Sequence, residues 1–172
     1  AGVCHRAPSR LAHNRHPMQK DIRLTEKPAQ PLVLYGHPFS SFTWKVLIAL
    51  YAEELDFEFR ILDADHPDHE RLVTETTPRG TFPVLADGEN MIFEASSIIE
   101  YIASRYGGLQ LLVPKDTDPA IGVRMLDRVF DNYIMAPVQA IVNEHIRAPD
   151  RPDAGRIAEA KAQLDKAYRW VE

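Results

Sequence analysis

The stretch LVLYGHPFSSFTWKVLIALYAEELDFEFRIL, Leu32 to Leu62, decides the fold. Leu32 to Tyr35 is a short run of apolar strand formers, halted by Gly36 and Pro38. Ser40 or Ser41 then offers an N-cap, and Phe42 to Leu55 follows as a helix whose buried stripe is Val46, Leu47, Ala49 and Leu50. Asp56 to Leu62 alternates polar and apolar residues, as a half-buried strand does. Strand, helix, strand is a βαβ unit, with parallel strands and a right-handed crossover.

Downstream, Asp63 to Pro67 is a polar loop and Asp68 to Glu75 a short helix. Thr81–Leu85 and Met91–Phe93 flank Asp87-Gly88, a strong hairpin signal. Ala95 to Tyr106 places Ile98, Ile99, Ile102 and Tyr106 on one helical face, and Gly107-Gly108 supplies a helix stop. The order βαβ-α-ββα makes a small mixed sheet with helices on its faces. Residues 32–107 thus form an α/β domain, preceded by a disordered leader at 1–31 and followed by a linker at 108–118. From 119 to 172 the pattern is all-α. Ala120 to Ile146 reads as one long helix kinked near Pro137, and Arg156 to Glu172 as an amphipathic helix with Ile157, Leu164, Tyr168 and Val171 inward. Two helices cannot bury both apolar faces alone, so this helical domain reads as incomplete and the chain as ending early.

The composition narrows the function. The chain has 172 residues, 45% hydrophobic and 26% charged, with a net charge of -5 and both signs interspersed. Nothing in that balance favours nucleic acid or an anionic membrane as partner. No window approaches the roughly 18 apolar residues of a membrane span. Cys4 is the only cysteine, so the chain holds neither an internal disulfide nor a C-x-x-C pair, and a reducing cytoplasm is the expected setting. The leader lacks the apolar middle of a secretory signal, and Met18 within it is a possible start.

YGHPFSSFTWKVLIAL resembles the first strand and helix of serine-type cytosolic glutathione transferases of the bacterial, phi and theta kind. FPVLADGENMIFEASSIIEYIASRY is similar to the later signature of that family, in which a cis-proline precedes strand three and an acidic-polar pair opens helix three. The resemblance covers about Leu32 to Glu172. It implies a thioredoxin-like first domain and a helical second domain that normally continues for several further helices. It also implies glutathione as cosubstrate, a small hydrophobic electrophile as partner, a role in detoxification, and a homodimer.

Glutathione carries a thiol with a pKa of about 9. Lowering it by two units takes roughly 2.7 kcal/mol of thiolate stabilisation. One hydrogen bond to a charged acceptor, at about 1.5–3 kcal/mol, has that size. The resemblance assigns this bond to Ser40, at the start of helix one, where the helix dipole adds to it; Ser41 and Tyr35 are the alternatives. A serine that opens a helix is in most proteins simply a cap. By the same resemblance Pro83 is the cis-proline, and the Phe82 backbone pairs with the cysteinyl part of the tripeptide. Glu94 takes the γ-glutamyl ammonium, and the start of helix three its α-carboxylate. The chain departs from the family at Ala95, where a serine is usual, so Ser96 is the available hydroxyl. His69 or Arg71 would meet the glycyl carboxylate. Asp63, Asp65, His66, Asp68, His69 and Glu70 match no metal-binding spacing, and no metal is expected. A non-catalytic binding or assembly module of the same fold is the competing reading, and a dehalogenase, isomerase or peroxidase would use the same first domain.

Overall fold

The computed structural model describes Pro28, residues 30–106 and residues 112–172. Most of the leader, residues 1–27 with Cys4 and Met18, and the Gly107-Gly108 stop lie outside the described residues. The strands are β1 (Leu32–Gly36), β2 (Phe57–Ile61), β3 (Val84–Asp87) and β4 (Asn90–Phe93). The helices of the same unit are α1 (Ser41–Ala52), α2 (Pro67–Thr76) and α3 (Ala95–Arg105). A helical unit follows: α4 (Thr117–Val129), a π-helical segment (Phe130–Met135), α5 (Ala136–Arg147) and α6 (Ala154–Val171).

The sheet order is β2-β1-β3-β4. β1 runs parallel to β2, with Leu34 opposite Phe59, and antiparallel to β3, with Leu34 opposite Leu85. Side chains alternate across a strand, and β1 shows it. Leu32 and Leu34 enter the core under α1 and α3 with Val46, Leu50, Leu85, Ile98 and Ile102. Val33 and Tyr35 join a second core with Leu62, Val73 and Val84. Gly88, at φ +58°, supplies the left-handed residue that the β3–β4 turn requires. Asp87 at that turn accepts hydrogen bonds from the hydroxyls of Tyr101 and Tyr106, which fastens the hairpin to the end of α3.

The helical unit differs from the sequence reading in two places. The long helix departs from regularity ahead of Pro137: the Ala136 N–H bonds to the Asp131 carbonyl, five residues back, in a wide turn. Proline has no N–H to give, and the wide turn occupies the residues just before it. In α6 it is Ala160 and Ala167 that are buried, whereas Tyr168 and Val171 are 49% and 44% exposed. Ile157 and Leu164 are half-buried on the same face as these alanines, and it is Tyr168 and Val171 that are turned outward. Glu144 on α5 ties the α5–α6 turn: it pairs with Arg147 and Arg156 and accepts the Asp153 N–H. Asp153 in turn caps α6, accepting from the backbone of Gly155 and Arg156.

Candidate functional site

Three loops meet at one end of the sheet. The register pairs Tyr35 with Val84 and Val84 with Phe93. The segment leaving β1, the one entering β3 and the one leaving β4 are therefore neighbours. They carry Ser40, Phe82-Pro83 and Glu94-Ala95 respectively. Contact between the first two is direct, since the His37 and Phe82 rings lie 6.4 Å apart.

The β1–α1 loop is held from several sides. The Trp44 indole N–H donates to the Pro38 carbonyl at 2.8 Å, and the Phe39 N–H donates to His37 Nδ1 at 3.2 Å. Thr43 is fully buried and its hydroxyl accepts the His37 N–H at 3.3 Å. A methyl group on Gly36 would stand 2.7 Å from the Thr43 side chain, so only glycine allows α1 to start this close to β1. Ser40 is the N-cap: its Oγ accepts the Thr43 N–H at 3.3 Å. A hydroxyl has one proton and two lone pairs. The cap uses a lone pair, and among the described residues nothing accepts the Ser40 proton. Ser41 is the first residue of α1, half-buried beside it.

The Phe82–Pro83 bond is cis, and Pro83 is buried while Phe82 is 39% exposed. Glu94 precedes α3 at φ +68°, a backbone conformation that costs a residue with a side chain about 1–3 kcal/mol. Its carboxylate makes no cap bond, and among the described residues it has no partner. Ala95 is buried as the first residue of α3, where backbone N–H groups have no acceptor within the helix.

Ser96 is placed differently from the sequence expectation. Its hydroxyl donates to Asp127 at 2.6 Å and accepts from Lys45 at 3.3 Å, so it is engaged with the helical unit. Tyr35 lies on the α2 side of the sheet, away from Leu32, Leu34 and α1, and its hydroxyl accepts from Arg60 at 2.7 Å. That is the alternation of β1 at work: Leu34 and Tyr35 cannot face the same way. His69 Nδ1 donates to the Ile61 carbonyl at 2.8 Å, leaving Nε2 for another partner, and its ring stacks on His66. Arg71 is paired with Asp68. Among the described residues no group of acidic, histidine or cysteine side chains could hold a metal.

Sequence reasoning missed Lys45, Asp127 and Asp131. Lys45 Nζ sits 2.6 Å from Asp127 and 2.8 Å from Asp131, joining α1 to the helical unit. Burial works against ionisation of Asp127, but bonds from Lys45 and Ser96 outweigh it and hold the carboxyl below the usual carboxylate range. The signal available was a lone lysine within an apolar helix and two aspartates one turn apart.

Residues 34–110 match the family model for the glutathione S-transferase N-terminal domain. Glutathione S-transferase 1 of Dianthus caryophyllus is 30% identical over 155 residues, covering 87% of this chain and 67% of that protein. The chain belongs to the glutathione S-transferase family. Glutathione S-transferase F7 of Arabidopsis thaliana is 35% identical over 104 residues, 57% of this chain. The chain spans 50% of the length of that relative. Poplar glutathione transferase F1 superposes with a TM-score of 0.72 at 20% identity, over 83% of this chain and 68% of the other, which is a likeness of fold. The transferase fold here includes the helical unit, and no helix among the described residues is long and apolar enough to cross a membrane.

Proposed function

We propose that this glutathione S-transferase family member binds glutathione and holds its sulfur as a thiolate for attack on a small hydrophobic electrophile. Ser40 donates the hydrogen bond to sulfur, and the N-terminus of α1 adds its partial positive charge. The Phe82 backbone pairs with the cysteinyl residue. Glu94 meets the γ-glutamyl ammonium, and the N–H groups of Ala95 and Ser96 meet its carboxylate. His69, through Nε2, meets the glycyl carboxylate. The electrophile lies beside Phe39, which is 93% exposed, and towards Met125 and Tyr133. The protein works as a cytoplasmic homodimer.

One observation carries this reading: the Ser40 hydroxyl caps α1 with a lone pair and keeps its proton for another acceptor. The ultraviolet absorbance of the thiolate tests it. At neutral pH, bound glutathione should absorb far more strongly than the free tripeptide. Ser40→Ala should remove that gain and slow conjugation of an activated aryl halide about 10–150-fold, the worth of one such bond. Absorbance no greater than in free solution ends the enzyme reading.

Ala95 and the engaged Ser96 hydroxyl favour a second reading, a binding module without catalysis. It is distinguished by retention on immobilised glutathione that depends on Glu94 but comes with no thiolate band.

A further inference from the structure

The polar cluster between the two units is closed on itself. The Lys45 ammonium has three protons and three recipients: Asp127 at 2.6 Å, Asp131 at 2.8 and 3.0 Å, and Ser96 Oγ at 3.3 Å. Ser96 Oγ passes its own proton to Asp127 at 2.6 Å, with Asp131 at 3.3 Å. Asp131 is 14% exposed and Asp127 23%, so solvent screens the group only in part. Among the described residues the other cation paired with these carboxylates is Arg128, which is 58% exposed and no closer than 3.8 Å to either.

The position of this cluster matters more than its bonds. Lys45 lies on α1, in the turn after the Ser40 cap, and Ser96 is the second residue of α3. One ammonium thus links the helix that carries Ser40 to the helix start beside Glu94 and Ala95. It also pairs with the two carboxylates of the helical unit, which themselves reach that helix start through the Ser96 hydroxyl. Without Lys45, a pair of negative charges in a partly desolvated setting would adjoin the N–H groups of α3. That would cancel the attraction of a helix N-terminus for an anion.

We propose that Lys45 is a positioning residue for the γ-glutamyl end of glutathione: it neutralises Asp127 and Asp131 and so preserves the anion-binding character of the α3 N-terminus. The inference rests on the glutathione reading above. It goes beyond that reading by placing control of cosubstrate affinity in a residue that need not touch the tripeptide.

The test is glutathione titration by calorimetry, with steady-state kinetics, on the full chain. Lys45→Met should weaken glutathione binding at least tenfold and raise its KM. The kcat at saturating glutathione and the KM for the electrophile should change less than threefold. Lys45→Met combined with Asp127→Asn and Asp131→Asn should return the affinity to within threefold of the parent. If Lys45→Met does not fold, Asp127→Asn/Asp131→Asn on the parent chain carries the test. The unopposed ammonium should then tighten glutathione binding severalfold, and added salt should reduce the gain. A folded Lys45→Met that melts earlier yet binds glutathione like the parent overturns the proposal, as does a double variant with unchanged or weaker binding. A parent chain that does not bind glutathione overturns the glutathione reading itself, an outcome distinct from both.

Discussion

The sheet unit and the helical unit bury themselves in different ways. Under β1 and β3, large side chains are fully enclosed: Leu32, Leu34, Leu50, Leu85, Ile98 and Ile102. Along α4 to α6 the buried apolar residues are mostly small, Ala120, Pro137, Ala160 and Ala167, with Ile134 the large exception, and a carboxylate, Glu144, is buried with them. Ile121, Met125, Tyr133, Ile146 and Trp170 remain more than half exposed. The first unit is held by apolar enclosure that it supplies itself. The second leans on polar ties, Lys45 at one end and Glu144 at the other. Burial in the sheet unit is the stronger resource, and the functional loops are mounted there.

The sharpest way to break that contrast is to cut one large side chain from each unit. Leu85→Ala should cost about 3–5 kcal/mol, because the site is enclosed on every side. Ile134→Ala should cost about 2 kcal/mol, at the low end of that class of substitution, because its more open surroundings can relax. Urea unfolding of the full chain measures both, and equal losses would erase the distinction. A smaller effect should come from Gly36→Ala, where the added methyl meets Thr43 at 2.7 Å. Overpacking of this kind costs about 1–3 kcal/mol, and it should also disturb glutathione binding by shifting the start of α1. Full stability with full binding would mean that the loop yields freely. The smallest effect concerns pH. Asp127 has its pKa depressed in the folded chain, so its contribution is complete above the unfolded value of about 4. It is lost as pH falls through the lower folded value. Asp127→Asn should therefore flatten the acid limb of the melting-temperature profile; a profile identical to the parent would detach this carboxylate from stability.

What could be read beforehand follows the same division. The sheet unit was legible because its signals are local: the apolar run before Gly36 and Pro38, the serine at a helix start, Asp87-Gly88 between two strands. Each is a few residues long and has one physical meaning. The facing of Tyr168 was not legible, because a helix with apolar residues on several sides does not declare which side meets a neighbour. The Lys45 cluster was hidden for another reason. Its partners lie 82 and 86 residues away, and no local pattern tells a lysine in an apolar helix which carboxylate it will meet. The wide turn before Pro137 is an intermediate case: the proline marks the place, but the form of the departure depends on packing with α6.

Glu94 has a consequence for anyone who would evolve this molecule. A backbone angle of +68° suits glycine better than glutamate, so mutagenesis scored on heat resistance alone would drift towards glycine there. The winners of such a selection would be sturdier and would lack the acidic group beside α3. Robustness and ligand recognition pull in opposite directions at that one residue, and only a screen that rewards both would keep the acid.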